Sequence, residues 1–399
     1  MDYIKNIEEI AKMKELKRKL RRKKDMNSTE ASKQIAEFFY DLIKDPTIKN
    51  KYLTNHHNLI LFVSYLGKKF SSIDPVQFCI SNTIKKILHL IREDIKESQN
   101  EKKMNLINQK ELMSNKMNEA IKFMKDIKNF DFVKYLKNND NENDDNESGE
   151  NNSTERLLEM KNLEENEKIE FDIDQILEKI DNLKSEIISI SEAITEKKEI
   201  KDLIEDGDII LTSNYSEQIV KILDENKKTK KFKVFVCESA PKLREKSMAE
   251  ELKKINLDIT IIEDDDIFSV MKNFKVKVFL GAKAILVNGG LITYGGAYNI
   301  CLLANKFSNP VIIVAGTTKL TPMYSFKHEL YNEYLSPDLI FGKNMDYQGD
   351  ISNIQFNNPS LDYVPPNLIS MYATDIGILN PKYLYKNFND MYDLEDYEI

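Results

Sequence analysis

From Asp206 onward the chain alternates short β-branched apolar runs with amphipathic ones. DIILTS is followed by SEQIVKILDENKK, KFKVFVCES by KLREKSMAEELKKIN, and DITIIEDDD by DIFSVMKNF; VKVFLGAKAILVNGG precedes AYNICLLANKFS, and PVIIVAGT closes the series. Parallel strands cannot be joined by hairpins and need crossovers. Strand then helix at roughly 25-residue intervals is therefore what a parallel sheet requires. The pattern predicts an α/β fold over residues 205–399, with a doubly wound parallel sheet.

The residues before it follow a different rule. In STEASKQIAEFFYDLIK, apolar positions Ile35, Phe38, Phe39, Leu42 and Ile43 fall on one helical face, and Pro46 ends the helix. HHNLILFVSYLGKKF and PVQFCISNTIKKILHLIREDI repeat the pattern, so residues 28–136 read as a helical domain. Residues 137–170, opening with NNDNENDDNESGENNSTE, are acidic, rich in asparagine and short of apolar groups. They read as a disordered insertion. A long helix over residues 171–204 then completes the helical domain. Its Ile173, Ile176, Ile180, Leu183, Ile187, Ile190 and Ile194 are spaced by alternating threes and fours, giving one narrow seam. The seam packs either within the chain or against a second subunit. The start, residues 1–27, is a basic extension: nine of the thirteen residues from Lys12 to Lys24 are Lys or Arg. It reads as a solvated helix, or as a contact for an acidic partner.

Composition excludes several classes. With 399 residues and 41% apolar content the chain is long enough for two domains and a sizeable core. No apolar run approaches the ~20 residues of a membrane span, and the first residues lack a secretory core. Cys79, Cys237 and Cys301 are far apart and form no CxxC, which points to a reducing, cytoplasmic setting without a zinc site. A net charge of −8 argues against direct nucleic-acid binding. No metal and no cofactor is expected.

In doubly wound sheets ligands bind beyond the carboxyl ends of the strands. Those ends carry Thr212, Ser213 and Asn214; Glu238 and Ser239; Glu263 and Asp264; Asn288, Gly289 and Gly290; and Gly316 and Thr317. Four of the chain's twelve glycines fall in NGGLITYGGAYN, and Gly295 and Gly296 open the next helix. Such a turn exposes backbone N–H groups to an anion, or lets helix and strand pack closely. No GxGxxG and no GxxxxGK[ST] occurs, so nucleotide fingerprints are absent. Cys237 at a strand end could act as a nucleophile, but a cysteine after VFV is more often a small buried apolar residue. Glu238 and the run Glu263–Asp266 could do acid–base work, or could cap the following helix. No histidine joins a metal pair, and no constellation commits to a reaction.

Two stretches resemble a known family. NGGLITYGGAYNICLLANKFSNPVIIVAGTTKLTP (288–322) and LDYVPPNLISMYATDIGILNPKYLYKNFNDMY (361–392) are similar to the regulatory alpha, beta and delta subunits of eukaryotic translation initiation factor 2B. KLTP at Lys319 and DYVPP at Asp362 lie nearer the beta-type pattern, TDIGILNP nearer the alpha type. The resemblance implies a helical domain followed by a Rossmann-like domain. It further implies a non-catalytic role in a guanine-nucleotide exchange complex, with delta as closest partner and alpha, gamma and epsilon as further ones. The helical domain would read the alpha subunit of initiation factor 2 and its phosphorylation.

The wider superfamily includes methylthioribose-1-phosphate isomerase, whose cysteine and aspartates would here be Ser213, Lys283 and Gly290. The isomerisation chemistry is thus absent by resemblance. The crevice left behind would comprise Ser213, Asn214, Ser216, Asn288, Gly289, Gly290, Gly295 and Gly296. Subunit contacts are expected at Thr212, Tyr215, Lys233, Phe235 and Glu238, and at Lys319, Asp362, Tyr363, Pro365 and Pro366. An active isomerase and a homodimeric phosphosugar-binding protein are the alternatives.

Overall fold

The computed structural model describes residues 15–16, 18–20, 27–46, 56–72, 77–98, 100, 104, 173–237, 248–324, 332–337, 355 and 357–397. Most of the basic start, the acidic insertion, Glu238 and Ser239 lie outside them. The chain divides into two compact units. Residues 1–91 and 174–399 form one, which carries the contacts described below, and residues 92–173 form the other.

Among the described residues after the basic start, the helices are α1 (Ser28–Lys44), α2 (His56–Ser71) and α3 (residues 78–98). Asn27 caps α1, its side chain accepting from the Thr29 N–H, and α1 stops at Asp45, one residue before Pro46, as proline sterics demand. Phe39 and Phe70 are fully buried and meet Phe38 in edge-on contacts, fixing α1 against α2.

The next helix, α4 (Ile173–Glu196), carries the isoleucine seam, and every seam position is buried. Its last two members, Ile190 and Ile194, enter the core of the sheet that follows. The seam is spent inside the chain rather than held open for a second subunit.

The sheet has seven strands: β1 (Ile209–Ser213), β2 (Lys233–Cys237), β3 (Ile259–Ile262), β4 (Lys277–Gly281), β7 (Val311–Val314), β10 (Met371–Thr374) and β11 (Gly377–Leu379). Their order is β11-β10-β7-β4-β1-β2-β3. All neighbours are parallel except the β10–β11 pair. From β1 the chain winds outward to β3, then returns to β4 and winds the other way. The topological switch point therefore lies between β1 and β4.

Both faces are covered. Leu211, Val278, Leu280 and Ile313 face α7 (Ile267–Asn273), α8 (Ala297–Lys306) and α9 (Leu384–Asn389). Ile210, Phe279, Ile312 and Val314 face the end of α4, α5 (Glu217–Asn226) and α6 (Met248–Lys254). Alternate residues serve alternate faces, and both are apolar because both are buried.

One segment departs from the sequence expectation. VKVFLGAKAILVNGG was read as a single strand, but β4 ends at Gly281 and a second sheet begins. Its strands are β5 (Ala284–Leu286), β6 (Leu291–Tyr294), β8 (Leu320–Thr321) and β9 (Leu361–Val364), in the order β8-β5-β6-β9. The chain breaks there because Gly281 lies against Ser216 and its carbonyl accepts from Thr293 of β6, at 2.7 Å, instead of continuing the ladder. Phe78 of α3 packs into the small sheet's core.

α3 also anchors the C-terminal segment. Asn82 donates to the Thr318 carbonyl at 3.0 Å, the wholly buried Lys85 donates to the Tyr397 carbonyl at 3.1 Å, and His89 Nδ1 pairs with Asp393 at 2.8 Å.

Candidate functional site at the strand ends

At the switch point β1 ends in Thr212 and Ser213, both buried. Asn214 then turns through the left-handed region at φ 50°, and Ser216 stands at the N-cap of α5 without a side-chain capping bond. Tyr215 packs partly into the core, where burial, then Glu217 and Glu251, raise its pKa. Thr212 therefore offers no surface to a partner, contrary to the expectation. Lys233 does not join this cluster either: it pairs with Ile209 at the amino end of β1, four residues from the Ser213–Cys237 pair. Phe235 lies midway along β2 and packs against Phe274, ring centroids 6.1 Å apart.

The end of β7 is closed from within. A side chain at Gly316 would overlap Ile190 of α4, so helix and strand end touch directly. Thr317 donates through its N–H and its hydroxyl to Asp375, at 2.7 and 2.8 Å. The Asn82 bond to the Thr318 carbonyl ties the same turn to α3.

The glycine cluster is not at the end of a parallel strand, as the sequence reading had it. Asn288, Gly289 and Gly290 form the hairpin turn between antiparallel β5 and β6, with Gly289 at φ 79°. The turn is tightly bonded: Leu286 N–H donates to the Gly290 carbonyl, Gly289 N–H to the Leu286 carbonyl, and Gly290 N–H to the Asn288 side chain. A Cβ at Gly289 would strike the Pro381 carbonyl, and one at Gly290 the Tyr363 ring. The Asn288 amide donates to the Tyr363 hydroxyl, and the buried Tyr372 hydroxyl donates to the Gly289 carbonyl. Glycine is required here because other segments press on the turn, and the Gly289 and Gly290 N–H groups are spent inside it.

Gly295 and Gly296 lead into α8, Gly296 in the left-handed region at φ 90°. The helix N-terminus already has an anion: the Asp362 carboxylate accepts from the Tyr298 N–H at 3.1 Å. Asp362, Tyr363 and Pro366 thus pack against the glycine turns, and residues expected in a crevice and residues expected at an interface meet there. Pro366 lies 3.4 Å from where a Gly289 Cβ would be.

Candidate catalysts fall away. Cys237 is buried, and burial, then Asp264, pushes its thiol up to about 12, which removes the thiolate needed for attack. Burial and Asp362 do the same to Cys301. Glu263 to Asp266 lie exposed at the edge strand β3, and Asp266 makes no capping bond. Among the described residues no three His, Cys, Asp or Glu could hold a metal ion, and no helix is long and apolar enough to cross a membrane.

Two lysines also follow these strands. Lys283 follows β4 and Lys319 follows β7, each half-buried. Lys283 Nζ lies over the Tyr294 ring, 4.8 Å from its centroid. Burial, and then Lys283, push Lys319 down to about 8. Sequence reasoning missed Lys283 as a positive feature, and it missed Asn82, Lys85, Tyr372, Asp375 and Pro381 altogether. Their partners are up to 312 residues away along the chain, beyond any periodic signal.

Comparison with known proteins adds identity to this geometry. The family model described as the Initiation factor 2 subunit family matches residues 9–381. The translation initiation factor eIF2B subunit beta of Dictyostelium discoideum is 28% identical over 390 residues, 94% of each chain. The eIF2B subunit beta of Schizosaccharomyces pombe is 38% identical over 198 residues, 49% of each chain. Among solved structures, the tetrameric eIF2B-beta2-delta2 complex from C. thermophilum contains a chain that superposes with a TM-score of 0.60 at 17% identity. The match covers 96% of this chain and 95% of that one, and it shows a shared fold.

Proposed function

Since this chain belongs to the Initiation factor 2 subunit family, we propose that it is a beta-type regulatory subunit of the translation initiation factor 2B guanine-nucleotide exchange complex. The observation that carries the reading is the length of the likeness to a beta subunit, 94% of both chains. The site geometry supports the non-catalytic part. Asp362 and Asp375 take up the donors an anionic substrate would need, and the strand-end cysteine is buried and protonated.

In this reading the chain assembles in the cytoplasm with sibling subunits, delta first and alpha beside it. Gamma and epsilon carry the exchange reaction. The helical region contributes to sensing the alpha subunit of initiation factor 2, whose phosphoserine would be read by charge-assisted hydrogen bonds from lysine or arginine. Exposed Lys233 and half-buried Phe235, Pro365 and Pro366 remain the proposed contact positions.

The test is affinity capture of the tagged full chain from its own cells at physiological salt, with mass spectrometry of what is retained. Near-equal amounts of delta-, gamma- and epsilon-like subunits are expected. Recovery of the chain alone as a homodimer, or turnover of a ribose 1-phosphate by the purified chain, would overturn the reading.

A further inference from the structure

The β5–β6 turn carries an inference that stands apart from the subunit reading. Asn288–Gly289 is the single Asn–Gly pair in the chain. Glycine has no Cβ to shield its own nitrogen, so it leaves that nitrogen unhindered for attack on the preceding asparagine amide. In that reaction the Gly289 nitrogen gives its proton to solvent hydroxide and bonds to Asn288 Cγ. The Cγ–Nδ2 bond then breaks, and ammonia leaves after taking a proton from water. Water opens the resulting five-membered succinimide at either carbonyl, yielding aspartate or isoaspartate. Water and its hydroxide are the only co-reactants.

The folded turn opposes each stage of this step. The Gly289 N–H donates to the Leu286 carbonyl at 2.9 Å, so the proton that must leave is engaged. Asn288 Oδ1 accepts from the Gly290 N–H at 2.9 Å, and Nδ2 donates to the Tyr363 hydroxyl at 3.0 Å, which fixes both ends of the amide. Deprotonation therefore breaks the Leu286 bond, and departure of ammonia breaks the Tyr363 bond. Asn288 is nonetheless exposed, so water reaches it and the reaction waits on local opening of the turn.

The isoaspartyl product cannot return to the same place. It routes the main chain through Cγ and so adds a carbon to the backbone of the turn. A single Cβ at Gly289 already strikes the Pro381 carbonyl, and one at Gly290 strikes the Tyr363 ring. The Gly289 carbonyl is itself held by the buried Tyr372 hydroxyl at 2.8 Å. A lengthened turn has no room among these three segments.

We propose that Asn288 is a spontaneous deamidation site gated by the β5–β6 turn, silent while the turn is closed and used when it opens. The isoaspartyl residue is then a permanent record of opening, and it blocks reclosure.

The experiment incubates the full chain at mildly alkaline pH, in buffer and in urea, and follows conversion at Asn288 by peptide mapping with mass spectrometry. Conversion in urea should run about tenfold faster or more, because in buffer only the open fraction reacts. Tyr363→Phe removes one of the holding bonds and should speed conversion in buffer about fivefold, with no change in urea. Should Tyr363→Phe fail to fold, the ratio of rates for the parent chain in urea and in buffer carries the test of gating. The isoaspartyl form, separated chromatographically, should melt at a lower temperature than the parent. Equal rates in buffer and urea, an unchanged rate in folded Tyr363→Phe, or equal melting of the isoaspartyl form and the parent would overturn the proposal.

Discussion

Gly289 shows how much a single residue can depend on distant chain. Its positive φ would strain any side chain, and the Pro381 carbonyl occupies the place of a Cβ. Gly289→Ala should therefore cost about 3 kcal/mol, from backbone strain plus displacement of the Pro381 turn. Urea unfolding of the two proteins measures it, and a loss under 1 kcal/mol would mean the hairpin turn relaxes freely. The sequence marks this glycine as unusual, since the chain has few, but it does not tell turn from ligand cradle. Both uses need the same backbone freedom, and only the Tyr363, Tyr372 and Pro381 contacts separate them.

Among the elements, α3 is the one whose role is set by charge. Its Lys85 ammonium is buried against the Tyr397 carbonyl, with desolvation lowering its pKa to about 8 and Asp396 opposing that shift. The folded value lies below the ordinary 10.5. Between pH 8 and 10.5 the unfolded chain thus binds more protons than the folded one, and Lys85 makes stability rise with pH across that window. Denaturation midpoints of the parent and of Lys85→Met, compared at pH 8 and pH 10, should show a smaller gain in the variant. Equal gains would place Lys85 in contact with solvent. The helical period of α3 is plain in the sequence, and so is the seam of α4. What each face packs against is not, because a 3.6-residue period reports that a face is buried and never names the partner. The same limit explains the single strand read across β4 and β5. An apolar run carries no mark where a chain leaves one sheet for another.

The whole molecule buries all three of its free cysteines, and burial pushes two of them, Cys237 and Cys301, up to about 12. A thiol reagent at neutral pH should leave the native chain unlabelled while it modifies all three sites in urea. Rapid native labelling of one site would reveal a local opening around that cysteine. At this scale the sequence by itself determined the α/β class, the helical region before it and the absence of nucleotide motifs, because those follow from local periodicity and spacing. Tertiary structure alone decided the second sheet, the seam's burial, and which charges meet. Asp362 reaching Tyr298 and Asp375 reaching Thr317 are contacts between segments that are local in space but not along the chain. Their energies depend on distance and burial, and neither exists until the sheet has closed.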